Sequence, residues 1–163
     1  MTDDHQLRHF LDAQRASVLA ILDGLGESAL RTPVVPSGWT PLGLLEHLGG
    51  AERHWFQHVA TGTTDPAPWP PDPDEDPDGP FTTNRPTGAV FDFYRKQCAR
   101  SNTVLDGMPL SASPRGRHNQ PLDEPVTDLR WIVLHMIEET ARHAGHLDLA
   151  RELLDGRTGL GPR

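Results

Sequence analysis

The 163 residues suffice for one ordinary domain with a single core, and 15 Lys and Arg against 23 Asp and Glu leave a net charge of −8. A surface of that sign repels nucleic-acid phosphates and anionic lipid, so neither is expected as a partner. The lone cysteine, Cys98, forms no internal disulfide; the polar N-terminus is no secretory signal; and no apolar run approaches the ~18 residues of a membrane span, so a cytoplasmic protein is expected.

The first helical segment runs from about Asp4 to Leu25. Leu7, Phe10, Leu11, Val18, Ile21, Leu22 and Leu25 recur at the three- and four-residue steps of one amphipathic face, with Gly24 and Gly26 as stop signals. A turn-like stretch then leads to Thr40 as N-cap and Pro41 at the first helical position. The second helix runs to about Ala60 and carries the stripe Leu44, His47, Leu48, Ala51, His54, Trp55 and His58. Residues 62–86 read as a Pro/Asp-rich loop, because proline blocks helix and sheet pairing and the clustered carboxylates repel one another.

The third helix, about Thr87 to Asp106, places Val90, Tyr94, Cys98 and Leu105 on one side, and residues 108–126 form an irregular connection. The fourth helix is expected to open at Thr127 as N-cap, with Asp128 in its first turn, and to close at Asp155 before Gly156. Four amphipathic helices with long irregular connections predict an all-α four-helix bundle forming a single domain over 1–163.

On the fourth helix the core stripe reads Leu129, Val133, Met136, Thr140, His143, Leu147, Ala150 and Leu154, so His143 sits mid-face. Glu139 lies four residues earlier, about 40° around the helix at ~100° per residue. His47 occupies the equivalent place on the second helix, between Leu44 and Leu48. Burying an unpaired carboxylate costs several kcal/mol, and a divalent cation would neutralise it while accepting imidazole lone pairs. The same pattern also fits a hydrogen-bonded core histidine beside a surface Glu–His pair. His135 and His146 share the arc of Glu139 and His143, as a group orienting a ligand or a substrate contact. Arg142 and Trp131 are further substrate-contact candidates. Cys98 has no histidine at helical spacing and reads as a packed core thiol.

The segment from Pro41 to Phe56, PLGLLEHLGGAERHWF, resembles the second-helix motif of the DinB-like superfamily. The segment from Leu134 to Asp148, LHMIEETARHAGHLD, is similar to the last-helix motif of the branch that includes mini-circle proteins and mycothiol-dependent maleylpyruvate isomerases. The resemblance implies a four-helix bundle with His47, Glu139 and His143 as ligands of one divalent metal. Zinc is the first expectation, with nickel, manganese and iron as alternatives. It also implies a low-molecular-weight thiol cosubstrate, mycothiol or bacillithiol, and a homodimer. The isomerases carry an additional C-terminal domain and this sequence ends at Arg163, so maleylpyruvate isomerisation itself is not expected.

Three protein ligands leave a tetrahedral ion one open position. The expected function is a metal-dependent thiol S-transferase that joins the thiol to an electrophile or xenobiotic. A metal-dependent hydrolase on the same site, iron chemistry at the two-His-one-carboxylate set, a non-catalytic metal-binding stress-response bundle and a bundle without metal are the alternatives.

Overall fold

Helix α1 spans Asp3–Leu22 and stops short of the expected Leu25, because Gly24 adopts a left-handed backbone (φ 74°) that no helix can continue through. This is a computed structural model, and it describes residues 3–69, 79–118, 122 and 124–159. A one-turn helix, α2 (Glu27–Leu30), follows that the sequence pattern did not suggest; it buries Leu30. Helix α3 (Pro41–Glu52) starts as expected, with the Thr40 hydroxyl accepting from the Gly43 amide at 3.1 Å and proline in the first turn.

The chain does continue to Ala60, but Arg53–Ala60 widens into a π-helix. Helix α4 spans Thr87–Gly107 and α5 spans Leu129–Asp155. The N-cap of α5 is Asp128 and not Thr127: its carboxylate accepts from the Trp131 amide at 2.9 Å, where a negative charge also suits the helix dipole. Gly156 closes the helix with φ 76°, as expected. The proline-rich acidic run at 70–78 lies outside the described residues.

Helices α1, α3, α4 and α5 form an all-α bundle in which α1 lies along α5, α3 along α4, and α3 also meets α5. Gly49 makes the α3–α4 contact close, since a Cβ there would lie 2.7 Å from the Phe93 ring. The core has two parts. One gathers Val18, Ile21, Leu45, Leu48, Val90 and Leu147; the other gathers Leu11, Phe56, Val59, Ile132, Val133 and Met136. Phe10, expected on the buried face, is 57% exposed. It points along the direction of Ser17 and Ile21 at ~100° per residue, but that side of α1 is uncovered near its N-terminal end. No helix among the described residues is long and apolar enough to cross a membrane.

Buried charges also join the helices. Arg15, between Leu11 and Val18, donates through Nε and Nη2 to the two oxygens of Glu52, both at 2.7 Å. Its Nη1 reaches Asp12 at 2.9 Å and Asn102 at 2.8 Å. The Glu52 side chain is 1% exposed and that of Arg15 6%, so each charge depends on the other. Arg151 is also buried and donates to the carbonyls of Ile21 and Asp23 at the end of α1, where helix carbonyls have no partner of their own. Truncating one member of a buried pair costs about 3–5 kcal/mol, whereas replacing both by apolar residues is often neutral. Arg15→Leu should therefore lower unfolding stability by that amount in urea titrations, and Arg15→Met with Glu52→Leu should recover most of it. Equal losses in the single and double variants would show that the pair contributes no more than its packing.

Candidate metal centre

His47 comes from the middle of α3, and Glu139 and His143 from successive turns of α5. Where those helices meet, His47 Nε2 lies 3.0 Å and His143 Nε2 3.1 Å from the same Glu139 oxygen, Oε1. One ligand atom from each of the three residues lies within 4.8 Å of the others, and no other such trio of His, Cys, Asp or Glu occurs among the described residues. His143 is 8% exposed; His47 and Glu139 are partly buried. Hydrogen bonds from His143 and His47 hold the Glu139 carboxyl well below the usual carboxylate range, so it is an anion at neutral pH.

The donor set fits a divalent cation. Two imidazole nitrogens and a carboxylate suit zinc and its first-row neighbours. The observed 3.0 and 3.1 Å separations lie close to the roughly 3.3 Å edge of a tetrahedron with ~2.0 Å bonds.

Neighbouring groups restrain these side chains. Phe81 stacks on the His47 ring (centroids 3.9 Å apart, planes 20°) and presents its edge to His143 at 6.0 Å. Its position depends on Gly43, where a Cβ would lie 2.1 Å from the Phe81 carbonyl, and on the Thr40 amide, which donates to that carbonyl at 2.9 Å. Neither Phe81 nor this dependence was anticipated from sequence. His146 lies with Nδ1 3.3 Å from His143 Nδ1, on the side of that ring away from Glu139, with Trp39 beyond it at 6.1 Å.

The remaining candidates are placed elsewhere. Arg142 is exposed and faces Glu138 at 3.6 Å, a surface pair away from the trio. His135 packs between Trp55, at 4.4 Å, and Trp131, stacked at 5.3 Å and 14°. Trp131 is thus a packing residue in this wall. His118 stacks on Trp55 and meets His54 Nε2 through Nδ1 at 2.8 Å. Cys98 is partly buried, and burial together with the Glu52 charge pushes its thiol up to about 12, so it stays protonated at neutral pH.

The protein is thus an all-α helical bundle with an interior cluster of two imidazoles and one carboxylate contributed by facing helices. A family model described as Mycothiol-S-transferase matches residues 6–156, nearly the whole chain, and the protein belongs to that family. Among curated proteins and solved structures nothing matches it.

Beside the trio, His54 carries the largest depression of a histidine pKa, from its ordinary 6.5 to about 4, through burial and the nearby His118, His58, Arg53 and His135. The folded state therefore prefers neutral His54. The stability it contributes is complete above pH 6.5 and is lost as pH falls towards 4. In histidine-labelled NMR spectra the His54 ring should titrate near pH 4; a midpoint at or above 6 would contradict this environment.

Proposed function

We propose that the protein joins mycothiol, or a thiol closely like it, to an electrophilic small molecule, using a divalent cation held by His47, Glu139 and His143. The supporting observation is that both imidazole Nε2 atoms converge on one carboxylate oxygen in a member of the mycothiol S-transferase family. A cation bound there supplies acidity to the cosubstrate thiol: a free thiol of pKa ~8.5 is only ~3% thiolate at pH 7, so full ionisation is worth up to about 2 kcal/mol. Zinc is the ion this ligand set suits first.

The protein's own residues set up that chemistry. Glu139 stays ionised and holds both rings through Oε1. His146 Nδ1 lies 3.3 Å from His143 Nδ1 and would accept from it once His143 Nε2 held an ion, which would keep Nε2 directed at the site. Phe81 covers the face of His47 and keeps water from that side. In the reaction the S–H bond and the bond from the electrophilic carbon to its leaving group break, an S–C bond forms, and the leaving group departs with its electron pair and takes up the proton. No electrons change hands, so no redox partner is needed.

Two measurements test this reading. Untagged protein purified without added metal should carry one equivalent of a divalent ion by elemental analysis, and His47→Ala and His143→Ala should each lower it at least tenfold while helicity is retained. Unchanged metal content in either variant removes the ligand assignment. Metal-loaded protein given mycothiol and a generic electrophile should exceed the uncatalysed conjugation rate, and chelated protein should remain folded and fall to background. A folded, metal-loaded protein with no thiol-dependent turnover would refute the proposed activity.

A further inference from the structure

The outer side of α5 is apolar where a free helix would be polar. Leu134, Leu149 and Leu153 are each more than half exposed, and so is Phe10 on α1. α5 packs on α1 and α3 through its buried residues. At ~100° per residue, Leu134, Glu138, Ala141, Arg142, Gly145 and Leu149 share an arc of about 100° on the opposite side. Phe10 adjoins that arc. Arg8 and Arg15 of α1 turn to Asp106 and Asn102 of α4, which leaves Phe10 on the side next to α5. The contacts of Arg130 with Asp4 and of Arg151 with the Ile21 carbonyl run α1 parallel to α5, so Phe10 lies about level with Ile137. A contiguous apolar patch of this kind marks an interaction surface.

Gly145 sits in the middle of the arc. Glycine in a helix interior is less stable than alanine, and a Cβ at Gly145 would meet nothing within 4 Å. The chain's own packing therefore gives no reason for it. Gly43 and Gly49, by contrast, each let another part of the chain come close. A helix arriving from outside would use Gly145 and Ala141 in the same way, because small residues at a crossing bring two axes to the short end of their ~8–10 Å range.

The charges select the partner. Glu138 and Arg142 pair at 3.6 Å on the surface of their own helix. A two-fold axis crossing α5 between Ala141 and Arg142 runs a second α5 antiparallel to the first. Leu134 then faces the partner's Leu149, and Glu138 lies within one turn of the partner's Arg142. Arg130 comes level with the partner's Glu152. Leucine meets leucine and each charge meets its opposite, so the face is complementary to itself. A parallel copy in register would set like charges together. An anionic membrane is disfavoured by Glu138, Glu152 and the net charge of −8.

We infer that this face, centred on Ala141 and Gly145, docks a second copy of the chain through an isologous, antiparallel contact of α5 with α5. Glu139 lies roughly 110° around the helix from the middle of the face. Both metal trios therefore stay outside the contact, and the inference stands apart from the thiol-transfer reading.

The test is mass in solution. In analytical ultracentrifugation at micromolar concentration the wild type should sediment as a species of twice 18.0 kDa. Gly145→Gln and Leu149→Arg should each raise the dissociation constant at least tenfold with helicity unchanged, since both positions are open in the single chain. Glu138→Arg and Arg142→Glu should each be monomeric alone and should form a heterodimer when mixed. Orientation is read by crosslinking in a Cys98→Ser background. A short bismaleimide should join Leu134→Cys to Leu149→Cys in a mixture and should join neither variant to itself, because those positions lie ~22 Å apart along the helix. A monomeric wild type, a dimer indifferent to Gly145→Gln and Leu149→Arg, a charge-variant mixture that stays monomeric, or self-crosslinking of either cysteine variant would overturn the inference.

Discussion

The anionic carboxylate of Glu139, set between two helices, is the constraint on which the rest of the site depends. A charge in that position is stable only if donors or a cation meet it, and the donors are His47 from α3 and His143 from α5. The contact therefore links two elements 92 residues apart in sequence. Because both imidazoles direct Nε2 at one oxygen, folding itself fixes the orientation of their rings.

The same logic extends along the bundle. Arg15 and Glu52 form a second charged pair, deeper than the first, and Gln57 and Gln97 form a neutral one at 2.7 Å. Each joins different helices, so the interior is specified by polar matching as well as by apolar packing. The π-helical stretch Arg53–Ala60 belongs to this arrangement. Its last carbonyls are satisfied by the connection before α5, with the Arg115 amide donating to Ala60 and the Gly116 amide to Val59. Gly116 is required for that approach, because a Cβ would lie 2.0 Å from the His58 carbonyl. The connection in turn delivers His118 to His54 and Trp55, and builds the aromatic wall next to the trio.

How much of this was legible in the sequence follows from the range of each interaction. The helices, the Thr40 cap and the inward placement of His47 and His143 are written in local spacing, and so they could be read. The α5 cap was misplaced by one residue because Thr127 and Asp128 are both capable caps, and the choice between them rests on a single amide, that of Trp131. Arg15 and Glu52 did carry a signal that went unused: each interrupts an apolar stripe, Leu11–Arg15–Val18–Leu22 and Leu45–Leu48–Glu52–Phe56, with opposite charge. The π-helical widening has no residue signature of its own. Phe81 lies in a proline-rich stretch without periodicity, and its place over His47 comes from a backbone contact with Gly43 that no helical pattern encodes.

The placement of the charges also separates structural from chemical roles. Arg15 and Glu52 are satisfied in both directions, with bidentate contact and extra partners for the guanidinium, and such a pair has nothing left to offer a ligand. Glu139 is different: its two partners are imidazoles that can exchange a hydrogen bond for a coordinate bond with little movement, and all three groups keep some exposure. Glu46 is different again: one oxygen accepts from Arg85, and the other is buried with no hydrogen-bond partner among the described residues. A buried ionisable group that is fully paired holds the bundle together; one that is paired by ligand-type residues is where an incoming molecule gains most by completing the set. In this bundle the carboxylate paired by ligand-type residues is Glu139, and it lies where α3 meets α5.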